Sequence, residues 1–314
     1  TGTTTSTNNI ASAGANTFYY ASISDYDSFL VKFKSNGTRV WSTYYGGRKA
    51  DIIFQVKVSN NQNVYIVGET LSDNNISTPN SFEPNFDSII QDGRQKLAGF
   101  FVKFDTNGER KWGTYYWGSI SNLSIDSSEK IYISGATFAD KKISTPNAHQ
   151  INIDNPSLNP IYGYFSDGFI AKFNSDGDKE WGTYYGGLDD DYISDSQIDS
   201  NGFLYFSGIT SSSNNIASIN TTNTPSHSNA DSFLIKFSPN GNRIWGTYFG
   251  GEKHDYAFSL GIDSNNYLYT FGWTQSLSNI STPGVFQEVY NDSFWATDNN
   301  GCIFKFNSDG DKIW

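Results

Sequence analysis

The chain of 314 residues holds one cysteine, no methionine and three histidines. A lone cysteine excludes an intrachain disulfide. Its scarcity also suits a bacterial protein made for export. Charged residues make up only 17%, and the helix formers Ala, Leu, Glu and Lys are sparse, which excludes a long-helix or coiled-coil architecture. No apolar run approaches the roughly 18 residues of a membrane-spanning helix. Zinc spacings, the Gly-x-Ser-x-Gly elbow and phosphate loops are all missing. The net charge of −11 and a pI near 4.6 argue against binding to a phosphate backbone. They suit a cation, a basic partner or plain solubility.

What is present is aromatic and turn-forming. Phe, Trp and Tyr reach 17%, and the 33 Asn exceed the 21 Lys and Arg together. Tyr, Phe, Ile and Thr favour strands, whereas Gly and Asn favour turns. This composition is too aromatic for a disordered chain.

The chain repeats. Segments beginning at Asp27, Ala98, Asp167, Asp231 and Asn300 each end in Lys-Phe, followed by Asn-Gly or Asp-Gly and then Trp. The tryptophans are Trp41, Trp112, Trp181, Trp245 and Trp314, at intervals of 71, 69, 64 and 69 residues. Lys32, Lys103, Lys172, Lys236 and Lys305 keep the same intervals. Each unit predicts four short strands, A to D. In the best-marked stretch C is Asp231 to Phe237, D holds Trp245 to Gly251, A is Asp255 to Asp263 and B is Tyr267 to Thr274. The Asn-Gly and Asp-Gly pairs predict two-residue type I′ hairpins between C and D.

Four strands per unit, repeated at this period, predict an all-β β-propeller of four-stranded blades. About five blades are present: a partial one over 1–47, then 48–118, 119–187, 188–251, and a partial one over 252–314. Thr1 to Ser12 matches Ser207 to Ser218, so the chain opens at the end of a B strand and closes inside a D strand. On that reading it is a single propeller region from a larger propeller or a longer chain with flanking domains.

The run Gly-Gly, three residues, Asp-Tyr, then Ile-Asp-Ser-Asn and Tyr-x-Tyr-x-x-Gly-x-Thr resembles the bacterial β-propeller repeat called SBBP. Ser281-Thr282-Pro283-Gly284-Val285-Phe286-Gln287 resembles that family's Pro-Gly-Ala-Phe-Gln loop. The resemblance covers essentially the whole chain. It implies an exported or cell-surface bacterial protein, often multidomain, whose relatives mostly have no assigned activity.

Candidate chemistry is thin. Asp51, Asp191 and Asp255 each fall four residues past the second glycine of a Gly-Gly pair, and the third blade has no counterpart. They form either an acidic rim at the channel mouth, with Tyr192 and Tyr256 beside them, or turn residues capping backbone amides just beyond them. The recurrent lysines suit a stem lying along an aromatic wall, because a catalytic lysine appears once rather than five times. The tryptophans are expected to be buried between blades. Asn174 to Asp178 and Asn307 to Asp311 resemble calcium loops but lack the distal Glu, and read as hairpin turns. His149, His227 and His254 fall in loops or corners without a metal-ligand partner, and Cys302 reads as a small buried hydrophobe. Tyr162, Tyr164, Trp273 and Trp295 suit sugar stacking or the loops' own small cores.

The B–C connections are long, with 28 to 37 residues from the strand-B Gly to the strand-C Lys, so their face is expected to meet a partner. Three functions fit. The first is a non-enzymatic binding or structural module for adhesion to a protein or glycan, secreted or on the cell surface, with no cofactor, no nucleic acid and no membrane-spanning segment. The second is a carbohydrate-active hydrolase or lyase using the acidic corners. The third is a calcium-stabilised adhesin. Departures from the repeat, at Ser119 to Ser124 and in the insert Gln91 to Leu97, would mark single-copy catalytic residues.

Overall fold

The computed structural model describes residues 1–6, 8–12, 26–86, 90–91, 94–95, 97–140, 142–154, 158–159, 163–218, 230–289 and 299–314. All regular structure in them is strand. The first sheet contains β1 (Gly2–Thr4), β2 (Asp27–Phe33) and β3 (Arg39–Tyr45). The second contains β4 (Asp51–Val58), β5 (Val64–Thr70), β8 (Ala98–Phe104) and β9 (Arg110–Tyr116). A ribbon of β6 (Ile90–Gln91) and β7 (Arg94–Gln95) interrupts the connection from β5 to β8. The third sheet contains β10 (Ser119–Ile125), β11 (Ile131–Thr137), β14 (Asp167–Phe173) and β15 (Lys179–Tyr185), with a ribbon of β12 (Leu158–Asn159) and β13 (Gly163–Tyr164) inside its long connection. The fourth contains β16 (Asp191–Ile198), β17 (Leu204–Thr210), β18 (Asp231–Phe237) and β19 (Arg243–Phe249). The fifth contains β20 (Asp255–Ile262), β21 (Leu268–Thr274) and β22 (Asn300–Phe306).

In the three complete sheets the spatial order follows the chain as A, B, C, D, and neighbouring strands are antiparallel. This is the meander of a propeller blade, and the fold is all-β and propeller-like, a series of antiparallel three- and four-stranded sheets as expected from the repeat. Two compact units are distinguishable: Thr1–Ile133 with Ala171–Glu180, and Ser134–Ile170 with Trp181–Trp314. The division runs through the third sheet.

Each unit builds its core between successive sheets. In the first, Leu30 and Tyr45 of the first sheet meet Val64, Phe100, Val102 and Phe104 of the second. In the other, Leu234 and Phe249 of the fourth sheet meet Ala257, Leu268, Phe304 and Phe306 of the fifth. Alternation along strand C explains this. Phe100, Val102 and Phe104 face the preceding sheet, whereas Phe101 packs forward onto Phe173 with ring centroids 5.5 Å apart.

The C–D hairpins differ from the two-residue type I′ turns expected from sequence. Gly108 N–H donates to the Asp105 carbonyl, Asp105 N–H donates to the Glu109 carbonyl, and the register shifts between Lys103 and Phe104. Only the glycine has a positive φ, +83°, while Asn107 does not. These are type I turns closed by a left-handed glycine that forms a bulge.

The first part of each long B–C connection is structural. Ser12, Thr78, Thr145 and Ser218 donate backbone N–H groups to the carbonyls of Ser42, Gly113, Gly182 and Gly246 on the outer strands. The outer edge of strand D is thereby partly paired, which removes an aggregation-prone edge. Ile76, Ile143 and Ile216 plug the core beside it, each fully buried.

Candidate functional site

Asp51, Asp191 and Asp255 head strands β4, β16 and β20, and they are at most 1% exposed. They form no acidic rim. One oxygen of Asp51 accepts from Gly47 N–H at 2.7 Å and from the Ser72 hydroxyl at 2.9 Å. Asp191 accepts likewise from Gly187 N–H and Ser212, and Asp255 from Gly251 N–H and Ser276. Capping was anticipated, but its direction is reversed. The donors include the glycine four residues earlier and a serine two residues past the end of strand B, joined at Asp191 and Asp255 by Thr210 and Thr274.

Sequence reading missed the second carboxylate of each corner. Asp27, Asp167 and Asp231 head the C strands and are no more than 3% exposed. Each precedes Asp51, Asp191 or Asp255 by the same number of residues. At Gly186 an added Cβ would lie 2.7 Å from an Asp191 oxygen and 2.8 Å from an Asp167 oxygen; at Gly46 it would lie 2.7 Å from both Asp27 and Asp51. Gln150 Nε2–H and Asp154 N–H donate to the other Asp167 oxygen. Burial pushes the Asp167 carboxyl up to about 7. It raises Asp191 well above the usual range, with the neighbouring Asp167 charge adding to the effect, and it raises Asp255.

The corner leading into the third sheet departs from this pattern. There Ala98 stands at the C-strand position, Ser119 heads strand A, Ala139 replaces the serine, and Trp117 replaces the first glycine. The Trp117 side chain is 7% exposed and packs edge-on to Phe82, 5.6 Å away. Trp117 and three small residues therefore stand at the four positions that hold Gly, Asp, Asp and Ser in the other corners. The signal was in the sequence, as a joint replacement at four positions rather than a single missing Asp.

The lysines and tryptophans form joints between sheets. Lys32, Lys103 and Lys236 Nζ donate to the carbonyls of Thr106, Ser175 and Ser308 in the next hairpin, at 3.0, 2.8 and 3.1 Å. Lys172 instead pairs with Glu180 at 3.5 Å, and Lys305 lies 4.0 Å over Tyr267. The indole N–H groups of Trp41, Trp112, Trp181 and Trp245 donate to Thr106, Ser175, Pro239 and Ser308 carbonyls. Their rings lie against Gly108, Gly177, Gly241 and Gly310. These indoles are partly buried, less sealed than expected, because one edge reaches the hairpin rim.

Tyr192 is 37% exposed, and Tyr256 packs on Trp273 with ring centroids 4.3 Å apart and planes tilted by 32°. His149 packs against Tyr185 and Phe237, and burial lowers its pKa to about 4. His254 Nδ1 accepts from Ala230 N–H. Cys302 is partly buried, and burial lifts its thiol to about 12. Asn174 and Asn307 accept from backbone amides two and four residues ahead, which makes both Asn-Ser-Asp-Gly-Asp segments hairpin turns as expected. Tyr162, Trp295 and His227 lie outside the described residues, as do parts of the Gln91 to Leu97 insert and the side chain of Tyr164. Among the described residues no group of three or more His, Cys, Asp or Glu is placed to hold a metal ion, and no helix is long and apolar enough to cross a membrane.

No family model matches this chain, and no curated protein matches it. Among solved structures it is similar to a protein of unknown function from Bacteroides caccae, with a TM-score of 0.44, 8% identity, and coverage of 92% of this chain and 75% of that one. It is also similar to a protein of unknown function from Dyadobacter fermentans, with a TM-score of 0.41, 12% identity, and coverage of 85% and 68%. A weaker likeness is to BamB from Moraxella catarrhalis, with a TM-score of 0.20, 11% identity, and coverage of 78% and 77%.

Proposed function

We propose that this chain is a non-enzymatic binding and structural region of an exported bacterial surface protein, built from SBBP-type repeats, with a protein or glycan as partner on the face of the long B–C connections. The observation that carries this reading is the fate of the corner acids. They are the recurrent carboxylates that a hydrolase or lyase would use, yet they are buried, they hold backbone amides, and in one corner Ala98 and Ser119 stand in their place. A catalytic pair must reach a glycosidic oxygen and a water, and side chains at most 3% exposed offer no such approach.

A glycan array run beside a polysaccharide turnover panel tests this. Binding without turnover supports the reading. Turnover that disappears in a folded Asp191→Asn variant would establish the enzymatic alternative.

A further inference from the structure

The turns between strands A and B share one backbone. In residues 59–63, 126–130, 199–203 and 263–267 the first N–H donates to the fifth carbonyl, and the fourth N–H donates to the first carbonyl. In three of these turns the first residue is an aspartate. One oxygen of Asp126, Asp199 and Asp263 accepts from the backbone N–H groups two and four residues on. The other accepts the hydroxyl of Tyr132, Tyr205 or Tyr269, at 3.2, 3.2 and 3.1 Å.

The turn between β4 and β5 departs from this set. Ser59 stands at the aspartate position, while Tyr65 keeps the tyrosine. Ser59 is 6% exposed and Tyr65 is fully buried, and among the described residues neither hydroxyl has a hydrogen-bond partner. A carboxylate arrives instead from the neighbouring sheet. Glu129, in the turn between β10 and β11, accepts from Asn61 N–H at 3.2 Å through Oε1. That N–H lies two residues past Ser59 and is the one an aspartate there would hold. Glu129 Oε2 is buried without a partner. Burial first, and then the Glu129 charge, push the Tyr65 phenol up, so the two groups are electrostatic neighbours. Glutamate is also a costly choice for its own turn. Its φ is +61°, at the position where Gly202 has +82° and Asn266 +61°. Left-handed backbone is adopted freely by glycine and not by a residue with a long side chain. Strain held at one position points to a role for that side chain elsewhere.

We propose that Glu129 serves the β4–β5 turn as the carboxylate that Ser59 lacks, and that Ser59 Oγ, Tyr65 Oη and Glu129 Oε2 together bind one buried water molecule. All of these residues lie within the first compact unit. The serine side chain ends one bond short of the aspartate oxygen that meets the tyrosine in the other turns. A water spans that difference. It accepts from the Tyr65 hydroxyl and donates to Glu129 Oε2 and to Ser59 Oγ. Three hydrogen bonds are the usual complement of a buried water, and they satisfy all three atoms at once. A cation suits the site less well. Two of the three oxygens carry hydrogens that need an acceptor, and a cation supplies none.

Urea midpoints of Glu129→Gly, measured in the parent and in a Ser59→Asp background, test the role of the glutamate. Backbone preference alone makes glycine at this φ stabilising in both backgrounds. The expected result is a change of sign. The midpoint falls in the parent, where Asn61 N–H and the water lose their acceptor. It rises in Ser59→Asp, where the aspartate supplies both acceptors within its own turn. A midpoint that moves the same way in both backgrounds would overturn the role of Glu129. A high-resolution crystal structure of the intact chain tests the water. An ordered solvent peak is expected within about 3 Å of all three oxygens, and Ser59→Asp is expected to displace it. No peak there, or a direct hydrogen bond from Tyr65 to Glu129, would overturn the water site. So would a metal ion with ligand distances of roughly 2.3–2.6 Å.

Discussion

Asp167 and Asp191 flank Gly186 so closely that one oxygen of each lies within 2.8 Å of where a Cβ on that glycine would sit. The glycine is there because two buried carboxyls need its space. Gly186→Ala is therefore expected to cost about 3 kcal/mol, the upper end of core overpacking. Adding Asp167→Ala, which copies the residue at Ala98, should recover a large part of that loss. A double-mutant cycle on urea midpoints measures the coupling. Strictly additive costs would show that the carboxyls are not the obstacle.

Removal of a cap has a different signature. Asp191→Ala leaves the Gly187 N–H without its acceptor in a buried corner, while the Ser212 hydroxyl keeps the Asp189 carbonyl. The expected cost is about 1–3 kcal/mol. Calcium should not change the result: calorimetric titration of parent and variant is expected to give the same trace. A binding isotherm present only in the parent would make the corner a cation site.

The corner acids also set a pH dependence. The folded Asp167 carboxyl holds its proton up to about 7, above the ordinary 3.8. Between those values the folded state binds more protons than the unfolded one, so this contribution to stability declines as pH rises through the window. His149 acts oppositely. Its pKa falls from 6.5 to about 4, so its contribution grows as pH rises through that range. Asp167→Asn is expected to lessen the decline between pH 4 and 7, with the raised Asp191 and Asp255 carboxyls keeping part of it, and His149→Phe to steepen it. Urea midpoints measured across that range report both slopes.

The tryptophan joints separate into packing and hydrogen bonding. Trp112→Phe keeps a ring over Gly177 but loses the donation to the Ser175 carbonyl at 3.2 Å, an expected loss of about 1 kcal/mol. Trp112→Ala removes the ring contacts with Phe101 and Tyr65 as well, for about 3 kcal/mol. Equal costs for the two variants would show that packing contributes little at this joint.

Cys302 offers a check on native packing. Its thiol is raised to about 12 by burial, so little thiolate exists at neutral pH. Labelling by a thiol-reactive disulfide reagent is expected to be much slower in the folded chain than in denaturant. Equal rates would mean that the fifth sheet does not pack as described.

The repeat, the strand count per unit, the C strand Asp231–Phe237 and the glycine positions of the hairpins are all legible in the sequence, because each depends on neighbours a few residues apart. Alternating side chains define a strand, and a glycine with positive φ defines a turn. The sequence also marked Asp51, Asp191 and Asp255 as corner residues. Only tertiary structure decided what those acids face. Ser72, Ser212 and Ser276 lie a strand away from them, and Asp27, Asp167 and Asp231 come from the C strand of the preceding sheet. Such encounters depend on how one sheet stacks on the next, which no local pattern encodes. Trp117 makes the same point. It stands where the other corners have Gly46 and Gly186, and only the structure shows that those glycines lie against two buried carboxyls, which Ala98 and Ser119 replace beside Trp117.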